Sequence, residues 1–417
     1  MLSRASSGSS SASARGGASV DLPLPGSPVT STYIGRVSHD RPETGRCYRP
    51  RVHDERLMDR ALALAAAARR RTAPRPWVGC VVARAGEVVG EGATGEFPRG
   101  AHAEAVALAS AGDRARGATA YVTLEPCNHH GRTPPCTDAL IEAGVRRVVA
   151  ALRDPDPRVG GRGFARMRAA GIEVVTGVRA REATRLLGPY LHQRSTGRPF
   201  VVVKVATSLD GRIAAIDGTS RWITSAEARA DAHELRADSD AIVVGSGTAL
   251  ADRPSLTVRG VTPEPARPPL RVLLDSRARV SPDGPLFDTS VAPTLVVTTA
   301  GAPAERVDAW TAAGAKVEVV PAGSAGVDLD AVLGVLAAEH ALQVLVEGGG
   351  ALIGSFLAGG YAQRLVAYVA PTILGTGAPS GYAWRGPATL ADASRYRLAG
   401  ATVLGPDVRL DYELTER

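Results

Sequence analysis

His102 and Glu104 stand two residues apart, and Cys127 and Cys136 follow further along the chain. One imidazole and two thiols are three nitrogen and sulfur donors. That is the number a catalytic zinc keeps while leaving one position for water. Zinc held this way lowers the pKa of such a water toward ~7, so a nucleophile is ready at neutral pH. Glu104 is placed to sit near the metal without binding it, which suits a proton shuttle between water and a leaving group. Cys136 is expected to open a helix, whose N-terminal dipole favours thiolate. The alternative is a structural zinc closed by His129 or His130, which would leave Glu104 without a role. Cys80 reads as a buried strand residue, and Cys47 lies in the N-terminal tail.

A second set of residues points to phosphate and cofactor chemistry. Gly245-Ser246-Gly247-Thr248 and Glu347-Gly348-Gly349-Gly350 each follow an apolar run. Backbone N–H groups at such strand ends suit a phosphate, and glycines let the chain approach a ligand closely. Two such loops at strand carboxyl ends of one α/β block mark a ligand site. No Gly-x-Gly-x-x-Gly follows a strand, so a Rossmann domain is not supported. Lys204 sits inside a buried-strand pattern, where a cation needs a partner. It is expected either to pair with Asp252 or to polarise a reacting centre; Lys204 and Asp252 are the catalytic candidates of this block. Asp210, in the turn that follows, reads equally as structural or catalytic.

The elements that must position these groups alternate. Helical spacing of Leu57, Ala61, Leu64 and Ala68 predicts a helix over 54–69. Strands are expected over 78–83, 87–90, 119–124 and 145–151, and helices over 102–111 and 135–143. The polar stretch 194–199 reads as a boundary. Beyond it, buried strands are expected at 200–206, 241–245, 270–274, 294–298 and 344–347. Alternation of this kind implies layered α/β domains. The chain therefore divides into a Ser-, Pro- and Arg-rich tail over 1–50, read as disordered, a first domain over 51–196 and a second over 197–417.

Of 417 residues, 44% are hydrophobic and only 4% aromatic, so the cores must be built from Ala, Val and Leu. The formal net charge is +7. Lys occurs only at 204 and 316 and Asn only at 128, which marks a coding bias toward Arg and Ala. No dense basic run is present, so the charge reads as solvated surface, with attraction to phosphorylated small molecules or nucleic acid as the alternative. Four Cys in a chain this long are no disulfide scaffold and fit a reducing cytosol. No apolar run is long enough to span a membrane. The tail lacks a secretory core, and organelle targeting is the lesser reading of its composition.

His102-Ala103-Glu104 with two later cysteines matches the pattern of zinc deaminases, except that eight residues, not two, separate the cysteines. With Thr123-Leu124-Glu125-Pro126-Cys127, His129, Gly131 and Thr133-Pro134-Pro135-Cys136, the sequence resembles the bifunctional riboflavin-biosynthesis deaminase/reductases. The second block carries further matches at Lys204 to Arg212, Ser220 to Thr224, His233 to Arg236, Asp252 to Thr257 and Glu347 to Gly350. The resemblance covers residues 51–417. It implies a cytidine deaminase-like three-layer domain followed by a dihydrofolate reductase-like domain, one Zn2+ per chain and NADPH. His102, Cys127 and Cys136 would hold the metal and Glu104 move protons. Thr207, Trp222, Thr248, Asp252, Ser276, Gly349, Gly350, Ala351, Leu352, Ile353, Gly354 and Ser355 would hold NADPH. Ser220, Arg236, Leu256, Arg259 and Glu347 would hold the substrate, with Arg236 and Arg259 suited to its phosphate.

The implied reactions are hydrolytic deamination of a diaminopyrimidinone ribosylamine phosphate and NADPH-dependent reduction of its ribosyl group to ribityl. The implied partner is that small molecule, with no nucleic acid and no membrane; a homo-oligomer stays open, and the cytoplasm is the expected location. One departure stands out. The family usually carries Asn in the turn before the first strand, and this chain has Pro74-Arg75-Pro76. Either Arg75 contacts the substrate instead or that contact is lost. A nucleic-acid base deaminase would need a short Cys-x-x-Cys and a basic or aromatic groove, and neither is visible. A non-catalytic zinc scaffold is the third reading.

Overall fold

The computed structural model describes residues 52–131, 134–323 and 326–415. The tail expected over 1–50, with Cys47, lies outside them.

The first half runs α1 (Val52–Thr72), β1 (Gly79–Arg84), β2 (Glu87–Ala93), α2 (Ala103–Ala111), β3 (Thr119–Val122), α3 (Cys136–Glu142), β4 (Arg147–Ala150), α4 (Arg162–Ala169), β5 (Glu173–Thr176) and α5 (Ala180–Thr196). Its sheet has the order β2-β1-β3-β4-β5. β1 is antiparallel to both neighbours, and β3, β4 and β5 are parallel. Helices cover both faces, and glycines set how closely they sit. A Cβ on Gly79 would lie 1.9 Å from the Ala61 carbonyl oxygen of α1, and one on Gly92 would lie 2.4 Å from the Ala103 oxygen of α2. The small residues expected for the core therefore allow α2, which carries the His-x-Glu pair, to lie directly on the sheet.

The second half runs β6 (Phe200–Ser208), α6 (Ala226–Ala237), β7 (Ala241–Gly245), α7 (Ser246–Asp252), β8 (Leu270–Leu274), β9 (Thr294–Thr298), α8 (Ala304–Ala312), β10 (Lys316–Val319), the short pair β11 (Ala322–Gly323) and β12 (Gly326–Val327), α9 (Leu329–Ala338), β13 (Gln343–Glu347), α10 (Gly350–Ala358), β14 (Arg364–Ala370), β15 (Tyr396–Leu404) and β16 (Asp407–Leu414). Nine strands form one sheet in the order β10-β9-β8-β7-β13-β6-β14-β16-β15. It is parallel from β10 to β14 and ends in an antiparallel hairpin. The central strands are Val- and Leu-rich and buried along their length, as a sheet covered on both faces requires.

One expectation gains detail and one needs correction. The stretch 194–199 was read as a boundary; within it α5 runs through Thr196 and stops at Gly197, which adopts a left-handed φ of 74°. Polar residues on the outer face of an amphipathic helix look like a loop until the buried Leu187, Tyr190 and Leu191 on the other face are counted. The stretch 349–355 was expected to be a cofactor loop, but from Gly350 onward it is the start of α10.

The halves touch through side chains of α1. Arg70 pairs with Asp238 at 2.8 Å and Glu234 at 2.5 Å, at the end of α6. Arg69 donates to Gln343 Oε1 at 2.8 Å. Leu342 of the second half packs into the core of the first.

Candidate active sites

The zinc donors come from three elements. His102 caps α2 in extended conformation, so its ring leaves the helix axis while Glu104 sits inside the first turn. Cys127 lies in the segment after β3, and Cys136 is the first residue of α3. His102 Nδ1 is 3.2 Å from Cys136 Sγ and 3.5 Å from Cys127 Sγ. All three donor atoms lie within 4.8 Å of one another. A tetrahedral zinc with bonds of about 2.0 Å to N and about 2.3 Å to S separates such ligands by about 3.5 Å, so the donor set fits the ion. Among the described residues no fourth His, Cys, Asp or Glu joins the group. His130 is exposed, and the closed structural site is not supported.

Glu104 is 4% exposed. Burial, and then the Cys127 thiolate, push its carboxyl up to about 7. Cys136 opens α3, as its position in the sequence suggested. Hydrogen bonds from the Cys136 thiol, from His102 and from the Cys136 backbone N–H at 3.4 Å converge on Cys127 and bring it down to about 4. The same hydrogen bond to Cys127, and then burial, raise the Cys136 thiol.

Glu125, quoted only as part of a motif, proves to be structural. Its buried carboxylate accepts N–H bonds from Gly161 and Gly163 at 2.9 Å and from Asp154 and Phe164 at 3.3 Å. This ties the segment bearing Cys127 to the start of α4. Arg75 does not behave as a free phosphate ligand. Its guanidinium donates to the carbonyls of Gly100, Gly95 and Glu96.

The second site is a cleft of about 1760 Å³ across the carboxyl ends of β6, β7, β8 and β13. Of the expected cofactor residues, Thr248, Asp252, Ser276, Gly349, Ala351, Leu352 and Ser355 line it. Thr248 Oγ1 accepts the Gly349 N–H at 2.9 Å and so ties the two glycine loops together. Ile353 is in the core, and Gly350 and Gly354 face the chain around Ser380 and Ala383, where a Cβ would lie 2.0 and 2.6 Å from a carbonyl oxygen. A helix can show only one face to a ligand, so a continuous run could not all line the cleft. Thr207 is buried against Gly381. Trp222 is 68% exposed under the Arg229 guanidinium, 4.2 Å from its ring centroid.

Of the expected substrate residues, Ser220, Arg236, Leu256 and Glu347 line the cleft. Arg236 was expected to face a phosphate. Instead its guanidinium makes two bonds to the Glu347 carboxylate, at 2.6 and 2.8 Å, and a third to the Thr257 carbonyl at 3.1 Å. Burial raises the Glu347 carboxyl, but Arg236 and then Lys204 outweigh it and hold the group at about 2. Leu256 is 2% exposed with a left-handed φ of 49°, a costly conformation for a residue with a Cβ. Arg259 is exposed, and its backbone N–H donates to His233 Nδ1.

Lys204 lines the cleft half-buried, 5.8 Å from the centroid of Tyr368. Burial lowers its pKa, opposed by Glu347 and assisted by Arg236. Those two charges, and not Asp252, act on it. Asp210 proves to be a tether, accepting the Leu374 and Gly375 N–H groups at 3.1 and 2.7 Å. Sequence reasoning missed Arg277 and Arg279 on the cleft wall. Their position just past the end of a buried strand was the available signal.

Residues 51–152 match the family described as the cytidine and deoxycytidylate deaminase zinc-binding region, and residues 199–410 match the RibD C-terminal domain. The riboflavin biosynthesis protein RibD of Escherichia coli (strain K12) is 42% identical over 372 residues, covering 86% of this chain and 99% of that protein. That of Bacillus amyloliquefaciens is 40% identical over 358 residues, covering 86% and 95%. Among solved structures, Acinetobacter baumannii RibD is 36% identical with a TM-score of 0.78, covering 87% of this chain and 99% of that one. A diaminohydroxyphosphoribosylaminopyrimidine deaminase/5-amino-6-(5-phosphoribosylamino)uracil reductase from Thermotoga maritima is 33% identical with a TM-score of 0.75, covering 87% and 99%.

Proposed function

The chain belongs to the RibD family of bifunctional riboflavin-biosynthesis deaminase/reductases, and from that premise we propose how its residues divide the two reactions. It is a zinc-dependent deaminase and an NADPH-dependent reductase acting on a small molecule. The observation that carries the assignment is the convergence of His102 Nδ1, Cys127 Sγ and Cys136 Sγ within 4.8 Å, beside a buried carboxyl.

In the deaminase half, over 51–196, His102, Cys127 and Cys136 would hold the zinc. Bound there, zinc supplies an acidified water. Glu104 takes a proton from the attacking side and hands it to the departing amine of the diaminopyrimidinone. Its carboxyl is buried with no salt-bridge partner among the described residues, and burial brings it up to about 7, where either protonation state is accessible. In the reductase half, over 197–417, the left-handed Gly197 that ends α5 supports the boundary. The Thr248 and Gly349 loops, with Ser276, Asp252 and the face of α10 carrying Ala351, Leu352 and Ser355, would hold NADPH, which would supply the hydride for reduction of ribosyl to ribityl. Arg236 fixes the Glu347 carboxylate, Leu256 and Ser220 bound the substrate, and Lys204 polarises the sugar C1 centre. Positioning and charge stabilisation are what hydride transfer needs from the protein.

No helix among the described residues is long and apolar enough to cross a membrane. We place the enzyme in the cytoplasm, acting on the pyrimidine ribosylamine phosphate without nucleic acid.

NADPH oxidation measured on the diamino substrate, with and without a zinc chelator, tests both sites. The chelator should abolish turnover of that substrate and spare turnover of the deaminated one. Equal loss on both substrates would refute the division.

A further inference from the structure

His102 is delivered to the metal site by the 95–101 loop, which joins β2 to α2. The loop is closed on itself: the Gly95 N–H donates to Ala101 O at 2.8 Å, and the Gly100 N–H donates to Glu96 O at 2.6 Å. Its two arms touch so closely that a Cβ on Gly100 would lie 2.1 Å from the Gly95 carbonyl carbon. Three carbonyls of this loop converge on one side chain. Arg75 Nη1 donates to Gly100 O at 2.8 Å, and Nη2 donates to Gly95 O at 3.1 Å and Glu96 O at 3.3 Å. The same guanidinium lies 5.6 Å from the centroid of Phe97, within the loop.

Arg267, from the second half, lies 5.5 Å from the same ring and donates to the Ala73 carbonyl at 2.6 Å. The loop is thus gripped from both halves of the chain. A planar guanidinium presents several donors in a rigid fork, and such a group is suited to hold three carbonyls in one arrangement.

We propose that Arg75 is a positioning residue of the zinc site: it holds the 95–101 loop, and so sets His102 against Cys127 and Cys136, while Arg267 braces the same loop from the reductase half through Phe97. The inference rests on the zinc assignment above. It makes the geometry of the deaminase metal depend in part on the reductase half. Groups that orient a metal ligand without touching the metal are worth about 10–100-fold in metal affinity or activity.

The test uses the full chain as wild type, Arg75→Ala, Arg75→Lys and Arg267→Ala. Zinc release into excess chromogenic chelator, the visible spectrum of the cobalt-loaded protein and deaminase kcat and KM are measured for each. NADPH oxidation on the deaminated substrate reports the fold. Arg75→Ala should release zinc at least about tenfold faster, change the cobalt spectrum and lower kcat with KM nearly unchanged. Arg75→Lys should not rescue it, because a single ammonium nitrogen cannot take the places of both Nη1, which holds Gly100 O, and Nη2, which holds Gly95 O and Glu96 O. Arg267→Ala should shift zinc release and spectrum the same way, by a smaller factor.

A raised KM in Arg75→Ala with wild-type zinc release and spectrum would make Arg75 a substrate contact and overturn the proposal. If Arg75→Ala also loses reductase activity, wild-type zinc release in Arg75→Lys overturns it instead. An unmoved Arg267→Ala overturns the bracing from the second half. A wild type that binds no zinc, or binds it equally after His102→Ala, sinks the zinc assignment and this inference together. A zinc-replete wild type with unaffected variants sinks the inference alone.

Discussion

Replacing one member of the Arg236–Glu347 pair should destabilise the reductase half by about 3 kcal/mol, and replacing both should restore most of that. The side chains are only 16% and 11% exposed, so solvent screens the pair little. The carboxyl of Glu347 falls from its ordinary 4.5 to about 2. At about 1.4 kcal/mol per pKa unit this corresponds to about 3 kcal/mol. It agrees with the ~3–5 kcal/mol that stranding one charge of a buried pair costs. For a unit of this size the melting temperature should fall by about 6–12 °C in Glu347→Gln or Arg236→Met. The double variant Arg236→Met with Glu347→Leu removes both charges and should recover most of the loss. Its NADPH oxidation on the deaminated substrate should stay as low as in the single variants, since the cleft lacks its carboxylate.

The pH dependence has a definite sign. The folded carboxyl is more acidic than the unfolded one, so its contribution is complete above pH 4.5 and is lost as pH falls through about 2. Thermal unfolding followed by circular dichroism, at pH 7 and at steps between 4.5 and 2, measures this. Single variants that melt with the wild type, or a double variant that regains activity together with stability, would refute the reasoning.

Glu104→Ala should retain zinc and lose deamination by about 10²–10⁴-fold, while NADPH oxidation on the deaminated substrate persists; metal analysis beside the two assays checks this. Cys127→Ser should bring bound zinc well below one per chain, and unchanged zinc content would remove Cys127 from the site. Gly350→Ala places a Cβ 2.0 Å from the Ser380 oxygen, so α10 must shift. A stability loss of about 1–3 kcal/mol and a raised KM for NADPH are expected, read from melting and steady-state kinetics.

The residue types carried the zinc site. His102, Glu104, Cys127 and Cys136 are scarce, chemically distinctive and close in sequence, so their spacing alone nearly assembles them. The buried strands were legible for a related reason: a strand covered on both faces is a short apolar run, and 241–245, 270–274 and 294–298 came out with the expected bounds. Tertiary structure decided what depends on distant segments meeting. Arg236 and Glu347 are 111 positions apart and become partners only because the sheet carries β13 next to β6 and β7. Arg75 is 25 positions from the Gly100 carbonyl it holds, and its type alone pointed as readily to a phosphate. Which face of α10 meets the cleft was likewise invisible, because a row of Gly, Ala, Leu and Ile reads the same toward a cofactor as toward a core. Short-range periodicity fixes elements, whereas pairing across crossovers is set by the order in which the strands assemble.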